Sequence, residues 1–413
     1  MSEGLRERHP GEGPAVWFDS RGLQRGFKEH AGRGIGTYVA ALAAELEAQS
    51  AKDRVKFLVE GGVELVKPLP EARLVLAPRV FSGPTRFETY LRQHVVLAAW
   101  LAVARPAAVH FAAQTDAPAF APVRTILTVH DVVLHRHGDW YAKSAAPGGA
   151  SALAELRFRS MRRLERFAIA RAERVIVPSR VTADELVATL AVPRARIAVI
   201  PEAAGSRFGP TPGATDAAIR ARLGLPARYL LHTGGADARK RLPELIAVFD
   251  ELARDDRELA LVLVGPVAAS SGWAAVAAAI DRARAHDRIR LAGVLDDHDL
   301  PAVYRGARAL VLATRHEGFG LPVIEAFACG TPVVATAAPA VTEVAGDAAL
   351  LVPVDEPQAL AGALRELLAS RSRADELAAR GVARAAQFRW SIAAAETLAV
   401  YDGVFARSTG APT

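Results

Sequence analysis

Two glutamates in the second half of the 413-residue chain carry its clearest chemical pattern. Glu317 and Glu325 are spaced as E-x7-E, with Gly318 and Gly320 between them. Glycine permits close backbone approach to a ligand, and a helix that begins after such a loop offers unpaired N–H groups to an anion. A carboxylate beside that anion pocket is suited to accept hydrogen bonds from sugar hydroxyls. The alternative is that the first glutamate caps the helix and the second is a solvated helix residue.

The elements around this pattern predict a doubly wound parallel sheet. Continuous apolar runs alternate with helical patterns throughout the second half, as is typical of strands that are buried on both faces. We predict strands at residues 228–235, 259–265, 289–294, 309–314 and 332–336. Ligands bind at the carboxyl ends of strands in such sheets, and Glu317 follows one of them.

The first half repeats this alternation and predicts a second domain of the same class. We predict strands at residues 15–19, 55–59, 108–111, 125–129, 174–178 and 197–200, and helices at 37–49, 87–104 and 152–172. A stretch rich in Gly, Pro and Thr at 205–215 is the best linker candidate. We therefore expect an α/β protein with Rossmann-like domains at 1–205 and 206–388. Long helical patterns at 357–388 and 391–407 end the chain, and residues 389–413 should form a helix that crosses back to the first domain.

Composition excludes several classes of protein. With 51% apolar and 23% charged residues the chain is not globally disordered, and its single cysteine, Cys329, excludes a disulfide framework or a cysteine-based zinc site. No apolar run approaches the roughly 20 residues that span a bilayer, and the first residues are polar, so we expect a cytoplasmic protein. The net charge of +6 fits an anionic partner or simply an arginine-rich composition, and no aromatic ladder or recognition helix favours nucleic acid.

The stretch ALVLATRHEGFGLPVIEAFACGTPVVAT, residues 309–336, closely resembles the signature of glycosyltransferase family 4. Other segments follow in that family's order: AGRGIGTY from residue 31, TVHDV from 128, VIVPSRVTADEL from 175, the Arg239-Lys240 pair, and QFRW from 387. The resemblance spans about residues 15–405. It implies the GT-B fold, in which two Rossmann-like domains face each other across a cleft. It also implies retaining transfer from a nucleotide-sugar donor, held by the C-terminal domain, to an acceptor held by the N-terminal domain.

The resemblance also implies the role of individual residues. Glu325 would hold the ribose of the nucleotide and Glu317 the transferred sugar, while His130 would lie beside the reacting centre and contact donor sugar or acceptor. The alternative for His130 is an interior histidine at a strand end. Further donor-binding residues would be Gly34, Gly36, Arg239, Lys240, Gly318, Phe319, Gly320 and Leu321. Among these, Lys240 would stabilise the charge that develops on the departing diphosphate.

Some positions depart from the family pattern. Gly235 stands where many members carry an arginine, and we expect Arg239 to replace it. Residues 200–203, IPEA, stand where Pro-Asn-Gly is common, and residues 313–314, AT, where Pro-Ser is common. Glu343 matches a glutamate that we interpret as structural. His135 and His137 match nothing, and we interpret them as loop residues.

Asp297 and Asp299 form a D-x-D pattern that could hold a metal. They precede a helical pattern, however, and aspartate there usually caps the helix, so we predict no metal and no cofactor beyond the nucleotide sugar. The Gly32, Gly34 and Gly36 spacing lacks the third glycine of a dinucleotide loop, which argues against an oxidoreductase.

GDP-mannose is the first candidate for the donor, and a UDP- or dTDP-sugar is the second. The acceptor could be a glycan, a lipid-linked glycan or a small natural product. The arginine-rich pattern at 152–174 could lie on the inner face of a membrane, although a solvated helix is favoured. The alternatives to a transferase are a GT-B sugar-nucleotide 2-epimerase and a non-catalytic scaffold. An epimerase would form product without any acceptor.

Overall fold

The computed structural model describes residues 15–28, 34–50, 54–80, 86–138, 140 and 152–406. Gly32, on which the dinucleotide hypothesis depended, lies outside these ranges. The described chain contains one seven-stranded and one six-stranded sheet, and all the strand pairs within them are parallel. The two doubly wound domains are therefore confirmed.

The first sheet has the strand order β3-β2-β1-β4-β5-β6-β7. Its strands are β1 Val16–Asp19, β2 Val55–Glu60, β3 Leu74–Ala77, β4 Ala108–Phe111, β5 Thr125–Thr128, β6 Arg174–Val177 and β7 Ile197–Val199. Val16 of β1 lies opposite Val55 of β2 and Ala108 of β4. The order reverses between β1 and β4, and loops at such a switch point leave room for a ligand.

The second sheet has the order β10-β9-β8-β11-β12-β13. Its strands are β8 Tyr229–Thr233, β9 Ala260–Val264, β10 Ile289–Gly293, β11 Ala309–Leu312, β12 Val333–Thr336 and β13 Leu350–Val352. The switch point lies between β8 and β11. The loop after β8 carries Arg239 and Lys240, and the loop after β11 carries Glu317, so the topology brings these side chains to one crevice.

Helices cover both faces of each sheet. They span Gly34–Gln49, Arg86–Leu91, Leu97–Ala104, Val133–Arg136, Ala152–Arg171, Arg180–Leu190, Asp216–Arg222, Leu242–Asp255, Trp273–Arg282, Leu300–Gly306, Leu321–Ala328, Pro339–Ala345, Pro357–Ala369, Arg371–Ala385 and Trp390–Ala406. Within the described ranges, no helix combines the length and the apolar character needed to cross a bilayer.

The last helix, Trp390–Ala406, packs on the first sheet. Trp390 and Tyr401 belong to the same buried cluster as Phe18 of β1. The Tyr401 hydroxyl also hydrogen-bonds to Nδ1 of His110 in β4, at 2.7 Å. The chain therefore returns to the first domain after completing the second.

Sequence periodicity missed two edge strands and one helix break. β3 and β13 consist of apolar residues but are only four and three residues long, so each gives a very short signal. The pattern at 357–388 contains two helices rather than one. They meet at Ser370, whose side chain accepts a hydrogen bond from the Arg373 N–H and so caps the second helix.

Candidate active site

Glu317 lies at the switch point of the second sheet and accepts hydrogen bonds from two cations. Lys240 Nζ donates to Oε1 at 2.5 Å, and Arg239 Nη1 donates to Oε2 at 2.8 Å. Burial by itself would raise the pKa of Glu317, but the charges of Arg239 and Lys240 outweigh it and hold that pKa at about 2. Glu317 is therefore a permanent anion within a buried group of net charge +1.

Glu325 lies on the helix Leu321–Ala328, as the spacing predicts, and its environment differs from that of Glu317. Its Oε2 accepts a 2.7 Å hydrogen bond from the hydroxyl of Tyr304, and that hydroxyl also lies 3.0 Å from Thr233 Oγ1. Burial raises the pKa of Glu325 to about 7, and the hydrogen bond from Tyr304 only partly opposes this effect. Glu325 therefore changes its charge near neutral pH.

The loop between these glutamates contains two glycines, and the two domains approach each other closely at the first of them, Gly318. A Cβ atom at Gly318 would lie 1.8 Å from the backbone oxygen of His130, so only glycine fits. The Gly318 carbonyl accepts hydrogen bonds from Ser179 Oγ at 2.7 Å and Thr182 Oγ1 at 3.0 Å. Gly320 precedes the helix with a φ of +106°, which favours glycine. The loop 317–320, which is predicted to bind the donor and is called the donor loop, thus rests directly on the first domain.

His130 follows β5 and faces an acceptor at each ring nitrogen. Nδ1 lies 3.0 Å from Glu202 Oε1, and Nε2 lies 2.9 Å from the Ala112 carbonyl oxygen. Burial would lower the pKa of His130, but the hydrogen bond and negative charge of Glu202 outweigh burial and raise it. The edge of the ring contacts Tyr38, with 4.8 Å between ring centroids. Because carbonyl and carboxylate oxygens only accept, both ring nitrogens carry protons.

The remaining predicted donor residues lie at the starts of two helices and in the loop between Glu317 and Glu325. Gly34 begins the helix Gly34–Gln49, and a Cβ atom there would meet no described atom within 4 Å. Gly36 is buried in the first turn of that helix, which also carries the Tyr38 that contacts His130. Phe319 is buried against Phe388, with ring centroids 5.8 Å apart. Leu321 is the first residue of the helix that bears Glu325.

The loop after β8 supplies two cations even though Gly235 replaces an arginine. A Cβ atom at Gly235 would lie 2.7 Å from Ser270 Oγ, so a larger residue would require Ser270 to move. Arg239 and Lys240 lie in the short helix Ala238–Lys240 and both reach Glu317. That Arg239 replaces the missing arginine stays a prediction.

The capping prediction for Asp297 and Asp299 is wrong. Asp299 precedes the helix Leu300–Gly306 without a side-chain cap and accepts a 2.7 Å hydrogen bond from Arg222 instead. Asp297 pairs with Lys67 of the first domain at 2.6 Å and with Arg207 at 3.3 Å. Local spacing could not reveal these partners because they are distant in sequence.

The loop interpretation of His135 is also wrong. His135 lies in the helix Val133–Arg136 and pairs with the buried Glu165 at 2.9 Å. His137 follows that helix, and its ring stacks on Trp140 with 4.0 Å between centroids.

Glu343 has the structural role that its position suggested. Its carboxylate accepts hydrogen bonds from the N–H groups of Arg180 and Val181 at 2.9 and 3.0 Å, across the domain boundary. A second contact across that boundary joins His316 to Glu185, which also pairs with Arg136. Sequence analysis missed this pair, and it also missed the partners of the site residues, Glu202 and Tyr304. The substitution of a glutamate for the common Pro-Asn-Gly asparagine was the only signal for Glu202.

Comparison with known families gives two matches. One covers most of the segment that forms the first sheet, and the other covers most of the segment that forms the second sheet. The model described as Glycosyltransferase Family 4 matches residues 32–203, and the one described as Glycosyl transferases group 1 matches residues 217–384. The first match contains His130 and Glu202. The second contains Lys240, Glu317 and Glu325.

Individual proteins are similar over shorter or more divergent stretches. O-antigen chain mannosyltransferase B of Escherichia coli is 27% identical over 67% of this chain and 70% of its own length. A D-inositol 3-phosphate glycosyltransferase of Kineococcus radiotolerans is 34% identical over 56% of this chain and 57% of its own. The match thus spans little more than half of the latter relative.

Solved structures share the fold at low identity. Sucrose-phosphate synthase from Thermosynechococcus elongatus superposes with a TM-score of 0.74 at 24% identity, covering 95% of this chain and 100% of that one. Anabaena HepE in complex with UDP and glucose gives 0.69 at 16% identity, with coverage of 95% and 100%.

Proposed function

Because the chain belongs to the group 1 and family 4 glycosyltransferases, with the GT-B fold, we propose that it is a retaining, metal-independent hexosyltransferase. It moves a hexose or deoxyhexose from a nucleoside diphosphate sugar to a hydroxyl group. One observation carries the proposal. Lys240, Arg239 and the anionic Glu317 converge at the switch point of the second sheet, and the loop that holds Glu317 rests on His130 of the first domain.

Each side chain has a part in that reaction. Lys240 and Arg239 stabilise the diphosphate as the bond from the anomeric carbon to its oxygen breaks. Glu317 accepts hydrogen bonds from the hydroxyls of the sugar, and Glu325 from those of the ribose. Gly34 and Gly36, in the first domain, leave space for the diphosphate on the other side of the cleft. With these cations in place, charge neutralisation does not require a metal ion.

The protonation states of the site favour proton transfer to the leaving group. Glu317, with a pKa of about 2, is too weak a base to hold the acceptor proton. Both nitrogens of His130 already bear protons directed at Glu202 and the Ala112 carbonyl. The departing diphosphate oxygen therefore takes the proton as the acceptor oxygen bonds to the anomeric carbon on the same face. Configuration is retained.

GDP-mannose is the donor we propose first, and a UDP- or dTDP-sugar is the second candidate. The E. coli relative is named a mannosyltransferase, which supports the first. HepE, which is similar in fold, was solved with UDP and with UDP-glucose, which keeps the second open.

A lipid-linked glycan is the acceptor class we propose, with the helix Ala152–Arg171 on an anionic membrane at the cytoplasmic face. This helix exposes Arg163 and Arg166 on the same side as Leu156 and Phe167. Its acidic residues do not cancel that charge, because the buried Glu165 faces His135 and Glu155 pairs with Arg159. An exposed helix face of mixed basic and apolar residues is suited to a membrane surface. Sedimentation with vesicles containing anionic lipid, compared with neutral vesicles, tests this contact.

Ligand-induced stabilisation tests the donor. We would measure melting temperatures with GDP, UDP, dTDP, ADP and the matching nucleotide sugars, with and without EDTA. A ligand that binds only the native state raises the melting temperature by mass action. We expect one nucleoside diphosphate to stabilise the protein whether or not EDTA is present. A shift that EDTA abolishes would overturn metal independence, and no shift with any nucleotide would contradict the donor site.

Two variants distinguish the roles of the two domains. Glu325→Ala should weaken nucleotide binding, whereas His130→Ala should leave binding intact and abolish transfer. Equal losses of nucleotide binding in both variants would contradict the division of roles. Product formed from the donor sugar without any acceptor would instead identify a sugar-nucleotide epimerase.

A further inference from the structure

Glu202 occupies the segment that leads from the first domain into the second, and it is the acidic partner of His130. We infer that Glu202 is a positioning residue for transfer, which holds the His130 ring as a fixed imidazolium beside the donor loop. This inference rests on the proposed transferase activity. It concerns a residue that departs from the family pattern, because Glu202 stands where Pro-Asn-Gly is common.

The geometry fixes both the orientation and the charge of the ring. Nδ1 lies 3.0 Å from Glu202 Oε1 and Nε2 lies 2.9 Å from the Ala112 carbonyl, so rotation of the ring would break two hydrogen bonds. Glu202 is buried, with 6% of its surface exposed. A buried carboxylate next to a neutral imidazole would be an uncompensated charge, which is far costlier than a hydrogen-bonded ion pair.

Among the described residues, the other titratable groups around His130 are weaker than Glu202 or neutral. Asp131, the next residue in the chain, raises the pKa of His130 less than Glu202 does. His110 is buried between the Tyr401 and Thr128 hydroxyls, and burial lowers its pKa to about 3, so it is neutral. Burial raises the pKa of Tyr38, so its phenol remains neutral as well. Glu202 is therefore the main source of negative charge at the ring.

The His130–Glu202 pair is neutral overall, and its positive end, the imidazolium, belongs to the first domain, whereas Arg239 and Lys240 belong to the second. The backbone oxygen of His130 meets Gly318, so the two domains touch at the residue that carries this imidazolium. A fixed imidazolium cannot accept a proton from the acceptor, but it can favour negative charge that develops on the departing diphosphate. Asparagine in place of Glu202 could accept the hydrogen bond but would not hold the proton on the ring.

Glu202→Gln tests this role because it keeps an oxygen acceptor and removes the charge. We would titrate the imidazole resonances by NMR, with His130→Asn to assign the His130 signal, and measure kcat and KM against pH. In the wild type the His130 signal should titrate above the ordinary histidine value, and in Glu202→Gln its midpoint should move down. The variant should then lose about tenfold in kcat on the alkaline side, with the donor KM unchanged. Lowering the pH should restore its activity, since the ring protonates again.

Glu165→Gln is the matched control, because it removes the carboxylate charge from a second buried His–Glu pair of the first domain, His135–Glu165. It should leave the pH profile of transfer unchanged. If Glu202→Gln does not fold, Glu202→Asn removes the same charge. An unmoved His130 midpoint, or a kcat loss that is equal at every pH, would overturn the inference. The NMR titration does not depend on activity. A protein with a shifted midpoint but no transferase activity would therefore contradict the proposed function while leaving the charge assignment intact.

Discussion

Glu317 and Glu325 are buried glutamates of one short segment, yet the protein holds them in opposite states. Glu317 contacts two cations from the loop after β8, and its pKa is about 2. Among the described residues, the carboxylate of Glu325 hydrogen-bonds to the Tyr304 hydroxyl, and burial raises its pKa to about 7. The difference shows that neither residue type nor burial sets the charge of a site carboxylate. The charge depends on which partner another strand or helix brings to it.

The largest expected effect comes from removing a cation from Glu317. Lys240→Met should lower kcat for transfer by about 10³-fold, since one preorganised charge on the leaving group is lost. It should also raise the pKa of Glu317 and so make it more like Glu325. Steady-state kinetics measure the loss. Arg315→Gln, on the same loop but paired with Asp355 at the surface, is the control and should stay close to wild type.

Next in size is the effect of pH on nucleotide binding through Glu325. Wild-type affinity should fall as the pH drops through about 7, because the protonated carboxyl accepts hydrogen bonds poorly. Glu325→Gln should bind about 10- to 100-fold more weakly at pH 8, without that dependence. Calorimetric titration with the nucleoside diphosphate across this range measures both. A pH-dependent affinity that persists in Glu325→Gln would assign the titration to another group.

The two glutamates should also affect stability with opposite sign. Because the folded pKa of Glu325 is raised, its contribution to stability falls as pH rises from the ordinary carboxyl pKa through about 7. Glu325→Gln should therefore gain about 2–3 kcal/mol relative to wild type between pH 5 and 8. The folded pKa of Glu317 is depressed, so its contribution is present above the ordinary carboxyl pKa and is lost as pH falls through about 2. Glu317→Gln should destabilise the protein at pH 7. Denaturant unfolding of the wild type and of both variants at pH 5, 7 and 8 measures these differences in stability.

The smallest effect should come from the Tyr304 hydroxyl, which donates a hydrogen bond to Glu325. Tyr304→Phe removes a hydrogen bond that lowers the pKa of Glu325, so that pKa should rise further. Nucleotide affinity at neutral pH should fall about threefold to tenfold and recover at alkaline pH. Tyr229→Phe is a matched control, because its hydroxyl donates to the Val303 carbonyl and not to a site carboxylate. An equal loss in both variants would indicate a packing effect.

Much of the fold was predictable because it depends on local pattern. Strands such as β9 and β11 are continuous apolar runs because both of their faces are buried. The glycine-rich loop after β11 can be recognised from its residues alone. The edge strand β3 was not predicted although it is entirely apolar, because its four residues form a very short run. Asp297 was misinterpreted for a different reason, since its partner Lys67 lies in the other domain.

The sequence by itself determined the two doubly wound domains, the family, and the positions of Glu317, Glu325, Lys240 and His130 on strand ends and helix starts. These properties follow from periodicity and motif spacing, which are local. Only the tertiary structure decided the charge and orientation of those groups. Arg239 and Lys240 reach Glu317, Tyr304 reaches Glu325, and Glu202 reaches His130 from segments remote in sequence. Electrostatic interactions act through space and depend on burial, so no spacing along the chain could have specified them.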